Sequence, residues 1–256
     1  MLSYQHAYHA GNAADLHKHI ALAETLVALT AKPRGISYLE SHAGRGLYDL
    51  TGAEAQKTGE AEGGIARITP EGAFGQALAA VRAAHGEGAY PGSPLIAQAL
   101  LRPQDRLTLC ELHPAEHGAL KSVLGGAAAL HRRDGHEGLR ALTPPDPRRG
   151  LALMDPSYEV KAEYAETAAT ALAVLKRWPQ GVIMIWYPIL PAARDLALTA
   201  PLEAALPGLL HHRVRFTAEP ERGMAGSGLL VLNPPFGLAD RLERAWRQAR
   251  PVFTPA

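Results

Sequence analysis

Residues 151 to 160, LALMDPSYEV, place an acid, a proline and an aromatic residue directly after an apolar run. A short, fully apolar run is typical of a central strand in a parallel sheet, because helices cover both faces of such a sheet. Asp155 is therefore predicted to lie at the carboxyl end of a strand. Ligands bind beyond this end of the strands in open α/β sheets. The stretch thus predicts both a fold class and the edge of the sheet where a site would lie.

Apolar runs of the same kind alternate with Ala/Leu-rich helical stretches along the rest of the chain. A first helix is predicted over AADLHKHIALAETLVAL, and strands over ISYLES, RLTLCEL, AALHRR, GLALM and GVIMIWYPIL. This alternation indicates a parallel sheet with crossover helices. Near the C-terminus, HHRVRFTAE and SGLLVLNPP predict an antiparallel pair. We expect an α/β fold with a mostly parallel seven-stranded sheet and an antiparallel C-terminal hairpin.

The alternation weakens in one internal segment, which is rich in Gly, Ala and Glu. In nucleoside-binding α/β units, the acid that holds the ribose follows the glycine loop by about 20 residues. Here the next acid at a strand end, Glu111, lies far beyond Gly46. We therefore predict an inserted, mostly helical subdomain at residues 48–92. It would separate the first part of the domain, residues 1–47, from the remainder, residues 93–256.

The composition fits a globular protein and excludes several other classes. The 256 residues have a formal net charge of +1, so any nucleic-acid contact must rely on local basic surface. The only cysteine, Cys110, lies in an apolar run and is expected to be a buried core thiol. No stretch approaches the length of a membrane span, and the N-terminus lacks a signal-peptide core. We expect a cytoplasmic protein without a membrane partner.

Three turns that follow successive predicted strands suggest a nucleoside pocket. The loop ESHAGRG brings Gly44 and Gly46 after the first strand, where small residues permit close approach to a ligand. Glu111 after the second strand could accept from ribose hydroxyls, and Asp134 after the third could meet an adenine amine. Each is weak evidence alone, since exposed acids and Asp-Gly turns are common. Together they predict an S-adenosylmethionine pocket, although a dinucleotide site would share the first two features.

The tetrapeptide DPSY after the fourth strand distinguishes these two cofactors. An exocyclic adenine amine is a poor nucleophile, and two acceptors, the Asp155 carboxylate and the Pro156 carbonyl, could orient it and stabilise its developing charge. Tyr158 offers a ring on which an extruded base could stack. Ser157 stands where a second proline is usual, which removes one constraint on φ and leaves these three groups in place. The motif predicts methylation of a base amine.

A second motif, NPPF at residues 233 to 236, matches the usual tetrapeptide more closely. It follows the predicted C-terminal hairpin, and no glycine loop or ribose acid precedes it at a suitable distance. We therefore predict a structural turn here and catalysis at Asp155.

Two further groups of side chains have alternative interpretations. The twelve histidines lack the regular Cys/His spacing of a zinc site, so no metal is predicted. Lys18, His19 and His42 are instead expected at the polar rim of the cofactor pocket. A run of arginines near the C-terminus is either a solvated helix face or a ridge that contacts phosphates. These arginines are Arg241, Arg244, Arg247 and Arg250.

Several motifs, in the same order over almost the whole chain, resemble the bacterial 23S ribosomal RNA adenine-N6 methyltransferases of the RlmJ type. They are MLSYQHAYHAGNAADLHKH, SHAGRG, YPGSPLIAQALLRPQD, ELHP, DG, DPSY, WYP and RGMAGSGLLVLNPP. The resemblance implies a Rossmann-like methyltransferase fold with a small helical insertion, S-adenosylmethionine as cofactor and an adenine of 23S rRNA as substrate. It also implies Asp155 as the catalytic acceptor and Tyr4 as a residue that reaches the target base. His6 and His9 are expected to help close the N-terminal segment over the site. The implied cofactor-binding set is Lys18, His19, His42, Ser93, Glu111, Asp134 and Gly135.

Two other functions stay open at this point. A protein glutamine-amide methyltransferase must orient a planar amide nitrogen by the same kind of hydrogen bonds. Such enzymes carry an Asn-Pro-Pro-aromatic loop at strand four, where this sequence has Asp-Pro-Ser-Tyr. A non-catalytic RNA-binding relative is the other alternative. Naked 23S rRNA and an early assembly intermediate are both candidate substrates, and the protein is expected to be a monomer.

Overall fold

The computed structural model describes residues 5–191, 193–217 and 223–256. Ten strands occur in this part of the chain: β1 (Ser37–Glu40), β2 (Leu47–Asp49), β3 (Ala89–Pro91), β4 (Arg106–Cys110), β5 (Ala129–His131), β6 (Gly150–Met154), β7 (Val182–Ile189), β8 (Leu210–Phe216), β9 (Gly226–Leu232) and β10 (Phe253–Pro255). The α-helices of the same part are α1 (Ala13–Thr30), α2 (Ala53–Thr58), α3 (Gly72–His85), α4 (Ser93–Leu100), α5 (Pro114–Leu124), α6 (Gly135–Leu142), α7 (Ala162–Arg177), α8 (Leu196–Ala205) and α9 (Leu238–Trp246).

The main sheet has eight strands in the order β10-β8-β9-β7-β6-β1-β4-β5. The neighbours from β7 to β5 pair in parallel, whereas β9 is antiparallel to both β7 and β8. The α/β class and the mostly parallel sheet are thus confirmed. The predicted number of strands was seven, and β10 is the additional one, pairing Phe253 with Phe216. Three residues that include a proline are too short to carry a recognisable strand pattern.

Helices cover the sheet on both faces, as its apolar central strands require. One buried cluster joins α1, α3, α4 and α9 to one face, and a second joins α6, α7 and α8 to the other. On α1, Leu16, Ile20 and Leu26 are completely buried. Each such side chain contributes about 1.5–3 kcal/mol relative to an exposed position. The Asn12 side chain caps α1 by accepting from the Asp15 amide at 2.9 Å.

The segment between β2 and β3 is mostly helical. β2 and β3 pair antiparallel in a separate two-stranded sheet, with Tyr48 opposite Tyr90. Within the segment, α3 packs on both α1 and α4. Whether residues 48–92 form a distinct inserted unit stays a prediction. In the part of the chain that the structure describes, no helix is long and apolar enough to cross a membrane.

Candidate active site

A cavity of about 760 Å³ lies beyond the carboxyl ends of the parallel strands. Its size falls within the range of small-molecule sites. Every predicted catalytic, cofactor-binding and RNA-contacting residue that the structure describes lines it, whereas Tyr4 lies outside the described residues. These lining residues are His6, His9, Lys18, His19, His42, Gly44, Ser93, Glu111, Asp134, Gly135, Asp155, Pro156 and Tyr158. Gly46, which was expected in the same glycine loop, is not among the lining residues and lies against Leu120 on α5.

The loop after β1 is joined to the acid after β4. Gly44 has a φ of 61°, and a Cβ there would lie 2.6 Å from the Tyr48 hydroxyl, so glycine suits this position for two reasons. The Gly44 amide donates to Glu111 Oε2 at 2.8 Å, and the His113 amide donates to Oε1 at 2.7 Å. Burial nevertheless raises the pKa of Glu111, and the two amide hydrogen bonds oppose that rise. Glu111 is thus a fixed acceptor at the cavity.

The turn after β5 forms the start of α6. Asp134 caps this helix by accepting from the Glu137 amide at 2.9 Å. A Cβ on Gly135 would lie 2.1 Å from the Ser41 carbonyl oxygen, so this turn packs directly against the loop after β1. In that loop, Ser41 Oγ lies 2.7 Å from His42 Nδ1, and burial lowers the pKa of His42 to about 3. His42 is therefore neutral at physiological pH and able to make directional hydrogen bonds.

A buried network of charges holds the acid after β6. Lys18 Nζ donates to Asp155 Oδ2 at 2.6 Å and lies 3.2 Å from Asp15 Oδ1. The side chains of Lys18 and Asp15 are 6% and 2% exposed, against 15% for Asp155. Despite the burial of Lys18, the two carboxylates raise its pKa, so it stays charged. The cation fixes one oxygen of Asp155 at the cavity.

Three hydrogen bonds, two of them to Glu40, support the other side of the cavity. Ser93, at the start of α4, donates to Glu40 Oε1, and the Tyr38 hydroxyl donates to Oε2 at 2.9 Å. Burial raises the pKa of Glu40 to about 8. His19 Nδ1 lies 2.9 Å from the Tyr90 hydroxyl, and burial lowers the pKa of His19 to about 3. Neutral His19 and Ser93 thus complete a mostly uncharged wall.

The aromatic residue of DPSY is held firmly in place. Tyr158 has a φ of 55°, a left-handed conformation that costs a non-glycine residue of order 1–3 kcal/mol. Its hydroxyl donates to the Trp186 carbonyl at 2.8 Å, and its ring lies 4.4 Å from the Tyr164 ring. Only 4% of the residue is exposed, although it lines the cavity. Sequence reasoning predicted the ring and missed how fully it is packed.

The NPPF motif lies at the amino ends of the parallel strands, at the edge of the sheet opposite the cavity. Because β9 is antiparallel to β7, its carboxyl end meets the amino end of β7. There the Asn233 side-chain amide donates to the Pro179 and Gly181 carbonyls at 2.8 and 3.1 Å. Neither Asn233 nor Phe236 is among the lining residues of the cavity. This geometry agrees with a structural turn at this motif.

Three residues that precede α1, His6, His9 and Asn12, line the cavity. His6 Nε2 is 3.0 Å from Asp15 Oδ2, and His9 Nδ1 is 2.7 Å from Glu60 Oε1. The hydrogen bond with Glu60 raises the pKa of His9. Glu60 also accepts from Asn12 at 2.9 Å, so the segment is bonded to residues between β2 and β3. Within the described ranges, no group of three metal-ligating side chains could hold an ion.

Sequence reasoning missed three residues that organise the site. Asp15 accepts from the Gly11 amide at 2.9 Å in addition to contacting His6 and Lys18. Glu40 is completely buried, and Trp186 on β7 lines the cavity with its ring 5.7 Å from Lys18 Nζ. The available signal for Asp15 and Glu40 was their position among apolar residues of a predicted helix and a predicted strand. Acids are almost never buried unless they are paired, so such positions indicate a partner.

Known proteins resemble this chain over most of its length. A sequence profile described as "Ribosomal RNA large subunit methyltransferase D, RlmJ" matches residues 33–252. The ribosomal RNA large subunit methyltransferase J of Escherichia coli K12 is 36% identical, over 100% of this chain and 95% of its own length. The protein of the same name from Haemophilus influenzae is 36% identical, over 95% of this chain and 91% of its own. A crystal structure of a Legionella pneumophila protein superimposes with a TM-score of 0.84 and 31% identity, covering 97% of each chain. The chain therefore belongs to the RlmJ family of ribosomal RNA large subunit methyltransferases.

Proposed function

We propose that this protein transfers a methyl group from S-adenosylmethionine to the exocyclic N6 amine of an adenine in 23S rRNA. Membership of the family makes it a methyltransferase with S-adenosylmethionine as the methyl donor. The observation that supports the choice of an amine acceptor is Asp155, fixed by buried Lys18 next to Pro156 at the cavity. The adenine, its N6 atom and the 23S molecule are our inference.

The residues that line the cavity fit this cofactor. Its ribose and adenine carry hydroxyl and amine donors, and Glu111 and Asp134 supply carboxylate acceptors at the ends of β4 and β5. A Cβ at Gly135 would meet the Ser41 carbonyl oxygen, so this turn lies directly against the loop after β1, and a Cβ at Gly44 would meet the Tyr48 hydroxyl. We propose that these four residues, with Lys18, His19, His42, Ser93 and Asp155, hold the cofactor.

When bound, the cofactor supplies an electrophilic methyl group on a sulfonium. Our proposal gives Asp155 the role of accepting one N–H hydrogen bond from the target amine, with the Pro156 carbonyl accepting the other. Two acceptors orient the nitrogen lone pair and stabilise the positive charge that develops on nitrogen. Lys18 binds one oxygen of Asp155, which leaves the rest of the carboxylate to meet the amine. The N–C bond would form as the methyl–sulfur bond breaks, and the methylated nitrogen would then lose one N–H proton to solvent.

The remaining substrate contacts come from Tyr158 and the N-terminal segment. The Tyr158 ring packs on Tyr164, so a stacked base would have to use the part of the ring that lines the cavity. Tyr4, His6 and His9 are proposed to contact the RNA and close over the target base. His6 and His9 line the cavity, which supports this role.

The same proposal includes the substrate molecule, the oligomeric state and the cellular compartment. The substrate is 23S rRNA, either free or in an early assembly intermediate, and the protein acts as a monomer in the cytoplasm. The cavity is lined by elements from both ends of this one chain, which supports a complete site in each copy. We propose that residues 48–92 are an insertion that supports the N-terminal segment, through Glu60.

Methylation of unmodified 23S rRNA tests the proposal. The protein is incubated with the rRNA and labelled S-adenosylmethionine, and the product is digested and analysed by mass spectrometry. We expect N6-methyladenosine at a single position. Methyl transfer to another atom would refute the amine mechanism, and transfer to a protein glutamine would support the alternative substrate. Absence of any transfer, with no heat on calorimetric titration with S-adenosylmethionine, would favour a non-catalytic RNA-binding protein.

A further inference from the structure

The edge of the sheet opposite the cavity carries a concentration of positive charge. Four segments meet there, residues 31–36, 101–106, 143–150 and 176–181, and we call them the basic edge. They contain eight arginine and lysine residues against two carboxylates, in a chain whose net charge is only +1. The eight cations are Lys32, Arg34, Arg102, Arg106, Arg148, Arg149, Lys176 and Arg177.

Hydrogen bonds join these four segments into one surface. The Arg106 amide donates to the Ile36 carbonyl at 2.8 Å, and the Ser37 amide to the Arg149 carbonyl at 2.9 Å. The Trp178 indole donates to the Arg148 carbonyl. The segments precede neighbouring strands β1, β4, β6 and β7, so their cations lie side by side along the edge.

Helix capping accounts for three of the eight cations. Cations are favourable near helix C-termini, and Arg102 donates to the Thr30 and Lys32 carbonyls at 2.8 and 2.7 Å. Arg149 donates to the Leu29 carbonyl, so together they satisfy the end of α1. Arg177 donates to the Thr143 carbonyl at the end of α6 at 3.0 Å and is itself exposed. The remaining five side chains are exposed. The neighbouring Arg102 and Arg34 guanidinium groups add to burial in lowering the pKa of Arg149, as expected for crowded like charges.

An exposed aromatic residue lies at the same edge. The Asn233 amide anchors the NPPF turn to Pro179 and Gly181 in the basic edge. Phe236 in this turn is 107% exposed, although a large apolar side chain gains nothing from water. Exposed cations beside an exposed aromatic ring are the combination that binds phosphates and stacks on bases of single-stranded nucleic acid.

We propose that the basic edge and Phe236 form a second RNA-contacting surface, which binds the rRNA away from its target base. This inference rests on the proposed function, because it takes the rRNA substrate as the bound polyanion. The five residues of β6 separate the two edges by about 16 Å. A short RNA in the cavity therefore cannot reach the basic edge easily, whereas a long folded rRNA can contact both.

The test compares the salt dependence of RNA binding in two triple variants. The first is Arg34→Gln/Arg106→Gln/Arg148→Gln, and the matched control removes three exposed cations elsewhere: Lys121→Gln/Arg67→Gln/Arg194→Gln. Each protein is titrated with full-length 23S rRNA and with a short fragment that the wild type methylates. Loss of three phosphate contacts should reduce the slope of log Kd against log salt by about two to three. The short fragment should be affected less, and the control should retain the wild-type slope.

Phe236→Ala adds a second readout that does not depend on charge. Loss of one stacked base should weaken binding of the long rRNA by about tenfold. Equal slopes for the triple variant and the control, or an equal loss with both RNAs, would overturn the inference. The inference would also be overturned if the wild type bound anionic vesicles instead of RNA through this surface, so that the triple variant lost vesicle binding and kept RNA binding. A wild type that methylates no rRNA would instead refute the proposed function itself.

Discussion

Replacing Lys18 by methionine should destabilise the folded protein strongly, because two buried carboxylates depend on this cation. Lys18 Nζ lies 2.6 Å from Asp155 and 3.2 Å from Asp15. At an effective dielectric constant of about 20, the attraction at 2.6 Å is about 6 kcal/mol before desolvation is subtracted. Removing one partner of a buried pair costs about 3–5 kcal/mol in practice. We expect Lys18→Met to lower the free energy of unfolding by this amount at pH 7.

Urea unfolding with a constant m-value measures the change. Lys121→Met is the matched control, since this lysine is exposed on α5 and should change stability by less than about 0.5 kcal/mol. The double variant Lys18→Met/Asp15→Asn should recover part of the loss, because it leaves one fewer buried carboxylate unpaired. A cost below about 1 kcal/mol for Lys18→Met, or no recovery in the double variant, would refute the argument.

The pH dependence of the Lys18→Met effect has a definite sign. In the wild type His6 and Lys18 lower the pKa of Asp15 well below its usual value, although burial opposes this. A depressed carboxyl pKa stabilises the fold above the unfolded value and loses this contribution as the pH falls. Without Lys18 the Asp15 carboxyl takes up a proton more readily. The difference between Lys18→Met and the wild type should therefore shrink on acidification.

Three further predictions concern the cavity walls. Gly135→Ala should weaken S-adenosylmethionine binding at least tenfold in calorimetry, because the new Cβ would lie 2.1 Å from the Ser41 carbonyl; unchanged affinity would contradict this packing. Glu40→Gln should flatten the pH dependence of stability between pH 4.5 and about 8. In the wild type the raised pKa of the Glu40 carboxyl lowers the free energy of unfolding by up to about 1.4 kcal/mol per pH unit as the pH rises through this range. Equally steep profiles for the wild type and the variant would argue against a protonated Glu40. With the pKa of His42 at about 3, titration of this residue should leave cofactor affinity unchanged between pH 6 and 8, and His42→Ala should keep the shape of the pH profile.

Local sequence patterns were sufficient to predict the parallel strands and the acids at their carboxyl ends. Apolar runs followed by Glu111, Asp134 and Asp155 predicted strands whose acids meet at one edge, and the structure has that arrangement. The parallel order of these strands fixes where their side chains converge, so spacing along the chain was sufficient.

Contacts between distant segments could not be predicted in this way. Asp15 reads as an ordinary acid in the first turn of a helix, and only the docking of α1 on the sheet brings Lys18 beside Asp155. Likewise, DPSY and NPPF lie at opposite ends of the sheet because β9 runs antiparallel to β7, and this pairing joins segments that are distant in the sequence. Tyr158 depends on Tyr164 and Trp186 for its packing, and no local pattern encodes these partners.

Methyl transfer by Asp155→Ala tests the central claim most directly. Alanine offers no acceptor to orient the target amine and no charge to stabilise the methylated nitrogen. We expect transfer to 23S rRNA to fall about a hundredfold to a thousandfold, by analogy with the loss of a charge-stabilising group, while calorimetry gives cofactor affinity within a few-fold of wild type. Near wild-type transfer by Asp155→Ala would contradict the account, and loss of transfer in Asn233→Ala would then place catalysis at the NPPF motif.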